Sequence, residues 1–472
     1  EGPRGEQVVV RRADVLQESF ARFAYFTDVE PSNIAFGGGD QIFGPVHSND
    51  RIRVYSSGAT FHGPVATAQD VSGAGYADFR QGLTEYAPAI PMPTTADLDK
   101  LQGLAADGGM AFTAAAGGSA GQATLRLEFV ALDVNGDGDA TDPDEGFLLA
   151  YRSADARWVV AGVPAGGLTT SPNCGHYHQP GDVFVAVTDH PSTTGPDSKL
   201  AALSNVSRRC FLGGHPELSG GVFDPDDGVG EWVEYPGDVS TTLTTRFGAL
   251  ADYLFPLSRS YNPEFKGVVH VAGKVAVSGT VRGRVTLAAT DRIILVDDLV
   301  YATDPGAPGR EATCDDLVGL FSGDDVLVAD NSLNAPVRPA IGQNWFTYDD
   351  TRDEFIHGVV LALSNFTVED YASGSTTGQS CGGSAWGRGC LFLSGGIIQS
   401  TRGAVGTISG GVGQARSDWM RVRVYGSGTL ATCEHMRGYL VGMLEGHVGS
   451  PDGPVVHGGE ARGERRKPNR PA

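Results

Sequence analysis

The chain has 472 residues, 67 of them glycine, 40% hydrophobic residues and a formal charge of −21. That balance describes a folded, turn-rich chain and excludes a disordered one. The charge excludes a nucleic-acid partner, whose phosphates require a basic surface, and no apolar run approaches the roughly 20 residues of a membrane helix. Taken in order, residues 7–26 carry Val8, Val15, Phe23 and Phe26 near helical spacing, with charged residues between them, and predict an N-terminal helix. The chain opens at Glu1 without an initiator Met or signal sequence, as a processed form would. Phe43-Gly-Pro-Val46 and Phe61-His-Gly-Pro-Val65 then echo each other about one solenoid rung apart. His47 and His62 read as polar rung or corner residues. Thr94-Thr-Ala-Asp97 is a capping box, and Leu98, Leu101 and Leu104 predict a short helix to about residue 106.

From Thr124 the pattern changes to strict alternation, Leu125, Leu127 and Phe129 against Arg126 and Glu128, which predicts a strand. Behind it stands Asp133-Val-Asn135-Gly-Asp137-Gly138-Asp139-Ala-Thr141-Asp142-Pro-Asp144-Glu145. It matches the D-x-N-x-D-G start of a calcium loop, with glycine at the sharp turn. Hard Ca²⁺ takes many oxygens, and Asp133, Asn135 and Asp137 project them from alternate positions. Asp139 stands where a backbone carbonyl usually serves. The twelfth position, usually a bidentate Glu, is Asp144, with Glu145 one residue later. Strands before and after the loop point to a structural ion and not to a helix-opening switch.

The stretch from Phe265 to Tyr301 alternates apolar residues at Val269, Val271, Val275, Val277, Val281, Val285, Leu287, Ile293 and Leu295. Gly267, Gly273, Gly279 and Gly283 break the alternation every four to six residues, with no room for a crossover helix and no Asn-Gly hairpin turn. Short strands with glycine corners, each stacking on the last, predict a β-solenoid. Residues 317–330, 355–371 and 390–407 continue it. The tail from Ser450 is basic and rich in proline and glycine.

Six cysteines permit three disulfides and an oxidising compartment. Cys381 and Cys390 bracket one glycine-rich loop and Cys174 and Cys210 another, which leaves Cys314 with Cys433. Cys174-Gly-His176-Tyr-His178 lacks the second ligand pair of a zinc finger. Asp224, Asp226 and Asp227, Asp297 with Asp298, and Asp324 with Asp325 are paired carboxylates. They are candidates for the acid and base of a glycan hydrolase, or plain corner residues.

YFTDVE, GPVHSND, RCFLGGHPEL, GVVHVAGKVAVSGTV and GGIIQSTRGAVGT together resemble an uncharacterised domain family of bacterial type IV pilus-assembly-associated and pilin-like surface proteins. The resemblance runs from about Tyr25 to about Thr407. It implies an apolar N-terminal helix ahead of the YFT motif, which this sequence lacks, and it brings no catalytic residues. The sequence reading is thus a mainly all-β protein with a β-solenoid, parallel β-helix-like body. Residues 1–30 are the N-terminal helix, 31–110 a first solenoid segment and 111–264 an inserted calcium-loop β domain. Residues 265–449 form the main solenoid and C-terminal segment, and 450–472 the basic tail. The expected role is a non-enzymatic, extracellular or surface-displayed structural subunit with calcium and disulfides. Its expected partners are further copies of itself or pilus components, with no nucleic acid and no membrane span in this chain. The rival roles are a glycan-active enzyme and an adhesin or binding module.

Overall fold

The computed structural model describes residues 20–118, 121–158, 230–303, 316–329, 354–368 and 391–405, together with short strand pieces in the gaps between and beyond them. It is strand-rich. The helix predicted over 7–26 is corrected at its end: Phe20–Arg22 is a single 3-10 turn and a strand, β1, occupies Tyr25–Val29. The β-branched and aromatic content of YFTDV favours extended backbone once a sheet edge is offered, and that edge outweighs the local helical spacing. Residues 7–19 lie outside the described residues.

The next strands are short. They are β2 (Asp40–Phe43), β3 (Val46–Ser48), β4 (Ile52–Arg53), β5 (Ala59–Phe61), β6 (Val65–Thr67), β7 (Val71–Ser72), β8 (Ala77–Phe79) and β9 (Leu83–Thr84). Helix α1 follows at Thr95–Asp107. Its capping box is made as the sequence predicts, with the Thr94 N–H donating to Asp97 Oδ2 at 2.9 Å, and Leu98, Leu101 and Ala105 are buried. Then come β10 (Ala111–Thr113), β11 (Gln122–Ala131), β12 (Gly146–Trp158) and the pieces β13 (His176–Tyr177) and β14 (Val185–Ala186). Beyond them lie β15 (Gly230–Trp232), α2 (Thr241–Phe247) and β16 (Phe255–Pro256). The alternating stretch supplies β17 (Val268–Ala272), β18 (Val275–Val281), β19 (Arg284–Ala289) and β20 (Ile293–Tyr301). The rest are β21 (Leu317–Ser322), β22 (Val326–Val328), β23 (Pro336–Val337), β24 (Thr347–Tyr348), β25 (Glu354–Ala362), β26 (Phe366–Val368), β27 (Leu391–Thr401) and β28 (Val424–Tyr425).

Among the described residues, eighteen of these strands form one mixed sheet. Its antiparallel part is local: β11 with β12, and β12 with β15 and β16. Everything else in it is parallel. Val268 stands beside Thr286 and Val275 beside Ile293, so each strand pairs with the next but one, eighteen residues on. One parallel ladder runs β10–β17–β19–β21–β25–β27, and then passes to β1–β3–β6–β9. Its inward row is Val269, Leu287, Leu320, Val360, Ile397, Tyr25, Val46 and Val65, all buried. A second ladder is β11–β18–β20–β22–β26. Two shorter ones, β2–β5–β8 and β4–β7, flank the N-terminal strands.

Side-chain volume sets where these ladders come close. At Gly279, with φ of +107°, an added Cβ would meet the Phe129 carbonyl oxygen at 2.1 Å. Only glycine lets β11 lie against β18 there. The outer face of the second ladder carries Ala276, Ile294, Val296, Leu327 and Ala329. These residues stay out of water because β12, β15, α2 and the turn after it cover them with Phe147, Leu149, Tyr151, Trp232, Leu243 and Leu250. The region predicted as an inserted domain thus shares a sheet and an apolar cluster with the strands that follow it.

Candidate functional site

Two constellations carry polar chemistry. The first is the loop between β11 and β12, which those antiparallel strands hold at its two ends, Ala131 opposite Gly146. Asp133 accepts from the Gly136 and Gly138 N–H groups at 2.5 and 3.1 Å, while Asn135 Oδ1 accepts from Asp137 N–H at 2.8 Å. The Asn135 amide donates to Asp137 Oδ2 at 3.0 Å and to Asp142 Oδ2 at 2.7 Å. Asp139 caps Thr141, accepting from its N–H and hydroxyl. Glu145 is buried and turned inward, where its two oxygens accept from Val134 N–H and Asp142 N–H at 2.8 and 2.9 Å. Asp144 faces Tyr261, whose phenol is raised by burial first and then by the Asp144 charge and hydrogen bond.

The predicted set is therefore split. Asp133, Asn135 and Asp137 gather at the loop head together with Asp142, which the motif template passes over. Glu145 braces the loop from within, and Asp144 points to Tyr261. Six carboxylates stand in thirteen residues. Arg246 from α2 binds Asp133 at its carbonyl (2.9 Å) and at Oδ2 (3.2 Å). Arg282 donates to the Asp142 carbonyl at 2.9 Å, and its other end is committed to Asp316. Among the described residues no three His, Cys, Asp or Glu side chains are arranged to hold a metal ion. The donors are nonetheless all oxygens of the kind Ca²⁺ prefers.

The second constellation was hidden in the sequence. It forms where β1 lies on β27, joining positions nearly four hundred residues apart: Tyr25 opposite Ile397, Phe26 opposite Ile398 and Thr27 opposite Gln399. A mostly polar row runs through the corner, Ser322, Gln399, Thr27, Ser48 and Thr67 with Ala362 between the first two, in register and all buried. Each polar member satisfies corner groups. Gln399 Oε1 accepts from Phe366 and Gly403 N–H, Ser48 Oγ accepts from Asp50 N–H, and the Thr67 hydroxyl donates to the Asp50 carbonyl.

At this joint the buried Glu30 carboxylate accepts from the Thr27 hydroxyl at 2.6 Å, the Tyr25 hydroxyl at 3.1 Å and Arg402 at 3.2 Å. The Arg402 guanidinium lies 3.9 Å over the Phe36 ring and 5.5 Å over Tyr25. Burial opposes its charge, but Tyr25, Glu30 and Asp40 around it hold the proton more firmly than usual. Burial also lifts the Tyr25 phenol well above its ordinary range. Asp40 is pushed up to about 6 by burial, against the opposing pull of the Gly37 N–H and of Arg402.

The remaining candidates are dispersed. Asp324 and Asp325 sit at a corner and share Arg292, at 2.9 and 2.7 Å. Burial raises Asp324, whereas at Asp325 burial is outweighed by hydrogen bonds from Ser364, Arg292 and Asn365. Asp298 accepts from Phe355 N–H at 2.7 Å. His47 is a buried rung residue stacked on Phe26 at 5.4 Å, and His62 stacks on Phe43 at 3.9 Å. Asp224, Asp226, Asp227 and all six cysteines, Cys174, Cys210, Cys314, Cys381, Cys390 and Cys433, lie outside the described residues, as does the Asp297 side chain. No described helix is long and apolar enough to cross a membrane. Compared with protein-family models, with curated proteins and with solved structures, the chain matches none.

Proposed function

We propose that this chain is a structural protein of a secreted or surface filament, built on a β-solenoid whose ends associate. The observation that carries this reading is the parallel ladder from β10 to β9 with its shorter companions. Residues about 18 apart return to the same ladder on the N-terminal side as well, Asp40 beside Ala59 and Ile52 beside Val71. Parallel returns after 18 or 19 residues in these two stretches, and after longer excursions such as Arg284 to Leu317 and Gly319 to Val359, are what a winding chain makes when each rung contacts only its neighbours. At the β9 end, β7, β8 and β9 each pair on one side only among the described residues. Phe79 there is stacked on Phe61 at 5.2 Å and only partly buried. Such an edge offers unpaired N–H and C=O groups to another strand.

In this reading Ca²⁺ binds the head of the β11–β12 loop through Asp133, Asn135, Asp137 and Asp142. The argument for a cation is the density of carboxylates, which repel one another without one. Disulfides at the predicted pairs and the acidic surface complete an extracellular character. The basic tail, with Arg462, Arg465, Arg466, Lys467 and Arg470 in its last eleven residues, is the electrostatic counterpart of a neighbour's acidic body. Electron microscopy of the native protein, with and without residues 460–472 and across a salt series, tests the reading. Filaments that shorten or vanish at high salt or on truncation are expected. Monomers under every condition exclude it.

A further inference from the structure

The order of strands in the long ladder differs from their order in the chain. After β27 the ladder continues with β1, so the N-terminal rungs sit on the C-terminal end of the body. They are held there by strand pairing and by Arg402 on Glu30, across 372 residues of sequence. Within these rungs β1, β3, β6 and β9 pair in series and β2, β5 and β8 likewise, with β2 also beside β28 (Ile42 opposite Val424), and the stretch after β9 is stitched back across them. Tyr86 N–H donates to the Gln69 carbonyl, Ala87 N–H to that of Thr67, and Ile90 N–H to Asn49 Oδ1 at 2.9 Å. The covalent path from these rungs to the body is then only Pro91-Met92-Pro93, between Ile90 and the N-cap Thr94. Four residue steps reach at most about 14 Å, and two prolines keep the segment extended.

We propose that the β1–β27 joint is an exchangeable interface, and that its partner is a second copy of this chain, each lending its N-terminal rungs to the other's β27. The contact needs no new complementarity, because the exchanged joint repeats the same strand register and the same Glu30–Arg402 pair. The short, stiff connection sets the balance. It limits how freely the rungs fold back on their own body and places no such limit on a neighbour's. This inference does not depend on end-to-end stacking. Stacking at the β9 edge produces an open-ended series, whereas exchange produces a closed dimer.

The test varies the connection length and reads mass by sizing and native mass spectrometry. Light and isotopically heavy wild-type chains, mixed and incubated, are expected to give mixed-mass dimers. Deleting residues 91–93 is expected to move the chain to the doubled mass, and inserting a six-residue Gly/Ser segment after Met92 to return it to the single mass. Wild-type chains that stay monomeric at every concentration overturn the proposal. So does a shortened chain that is folded and monomeric, or one that folds at no concentration, since a neighbour's β27 would have rescued it. A dimer fraction indifferent to connection length overturns it as well, and leaves edge stacking standing.

Discussion

Two side-chain sites respond to solution conditions in directions the geometry sets. Asp40 has its folded-state pKa raised to about 6 from 3.8. The folded state therefore holds this proton more tightly than the unfolded one, and the stabilisation is complete below about pH 4 and lost as pH rises through 6. Roughly two pH units correspond to about 3 kcal/mol as an upper bound. Asp40→Asn is expected to raise the melting temperature at pH 7.5 and to have almost no effect at pH 4. An increment independent of pH would show that Asp40 is not carrying a partly buried charge. At the loop, if Ca²⁺ binds as proposed, a hundredfold excess over its Kd is expected to add about 2.7 kcal/mol. Melting in calcium against chelator measures that increment, and the double change Asp133→Ala, Asp137→Ala is expected to abolish it. The loop motif was legible because its carboxylates are neighbours in sequence. The inward turn of Glu145 was not, since it depends on the Val134 and Asp142 N–H groups in the folded loop.

At the scale of elements, the alternation over 265–301 predicted strands, and β17 to β20 occupy it. Of the glycines that break it, Gly279 sits at a close contact between strands. Gly279→Ala places a methyl group against the Phe129 carbonyl and forces a side chain into a positive-φ backbone. A loss of at least about 2 kcal/mol is expected, read as a lower denaturation midpoint. Gly82→Ala has open space around its Cβ and a similar positive φ, so it isolates the backbone part of the cost; equal losses at the two sites would remove the steric argument. The capping box of α1 was visible because its partners are three residues apart. The strand nature of Tyr25–Val29 was not, because its pairing partners are Ile397 to Thr401 on one side and Val46 to Ser48 on the other.

Over the whole molecule, the cysteines offer a test of connectivity that begins from the sequence. Closing Cys314 with Cys433 would shut a loop of over a hundred residues, worth about 4–5 kcal/mol in the chain-entropy model. Peptide mapping of the unreduced protein is expected to recover Cys314–Cys433, Cys174–Cys210 and Cys381–Cys390. Free thiols at Cys314 and Cys433 would refute the long-range pair.

What the sequence by itself determined is local: short strands of period two, glycine corners, the helix at Thr95–Asp107 and the acidic loop at 133–145. Each depends on residues within one or two turns of chain, where spacing translates directly into geometry. The tertiary structure decided which rung lies on which. In a ladder with a repeating apolar row, Val46, Ile397 and Leu287 are chemically almost interchangeable, and periodicity does not say that β1 belongs on β27. The side-chain pair of Glu30 and Arg402 bonds across that joint, whereas the hydrogen bonds of the polar row stay within each side of it. A misplaced rung would leave buried Glu30 without Arg402, and the cost of that, more than any gain in apolar area, selects the stacking order.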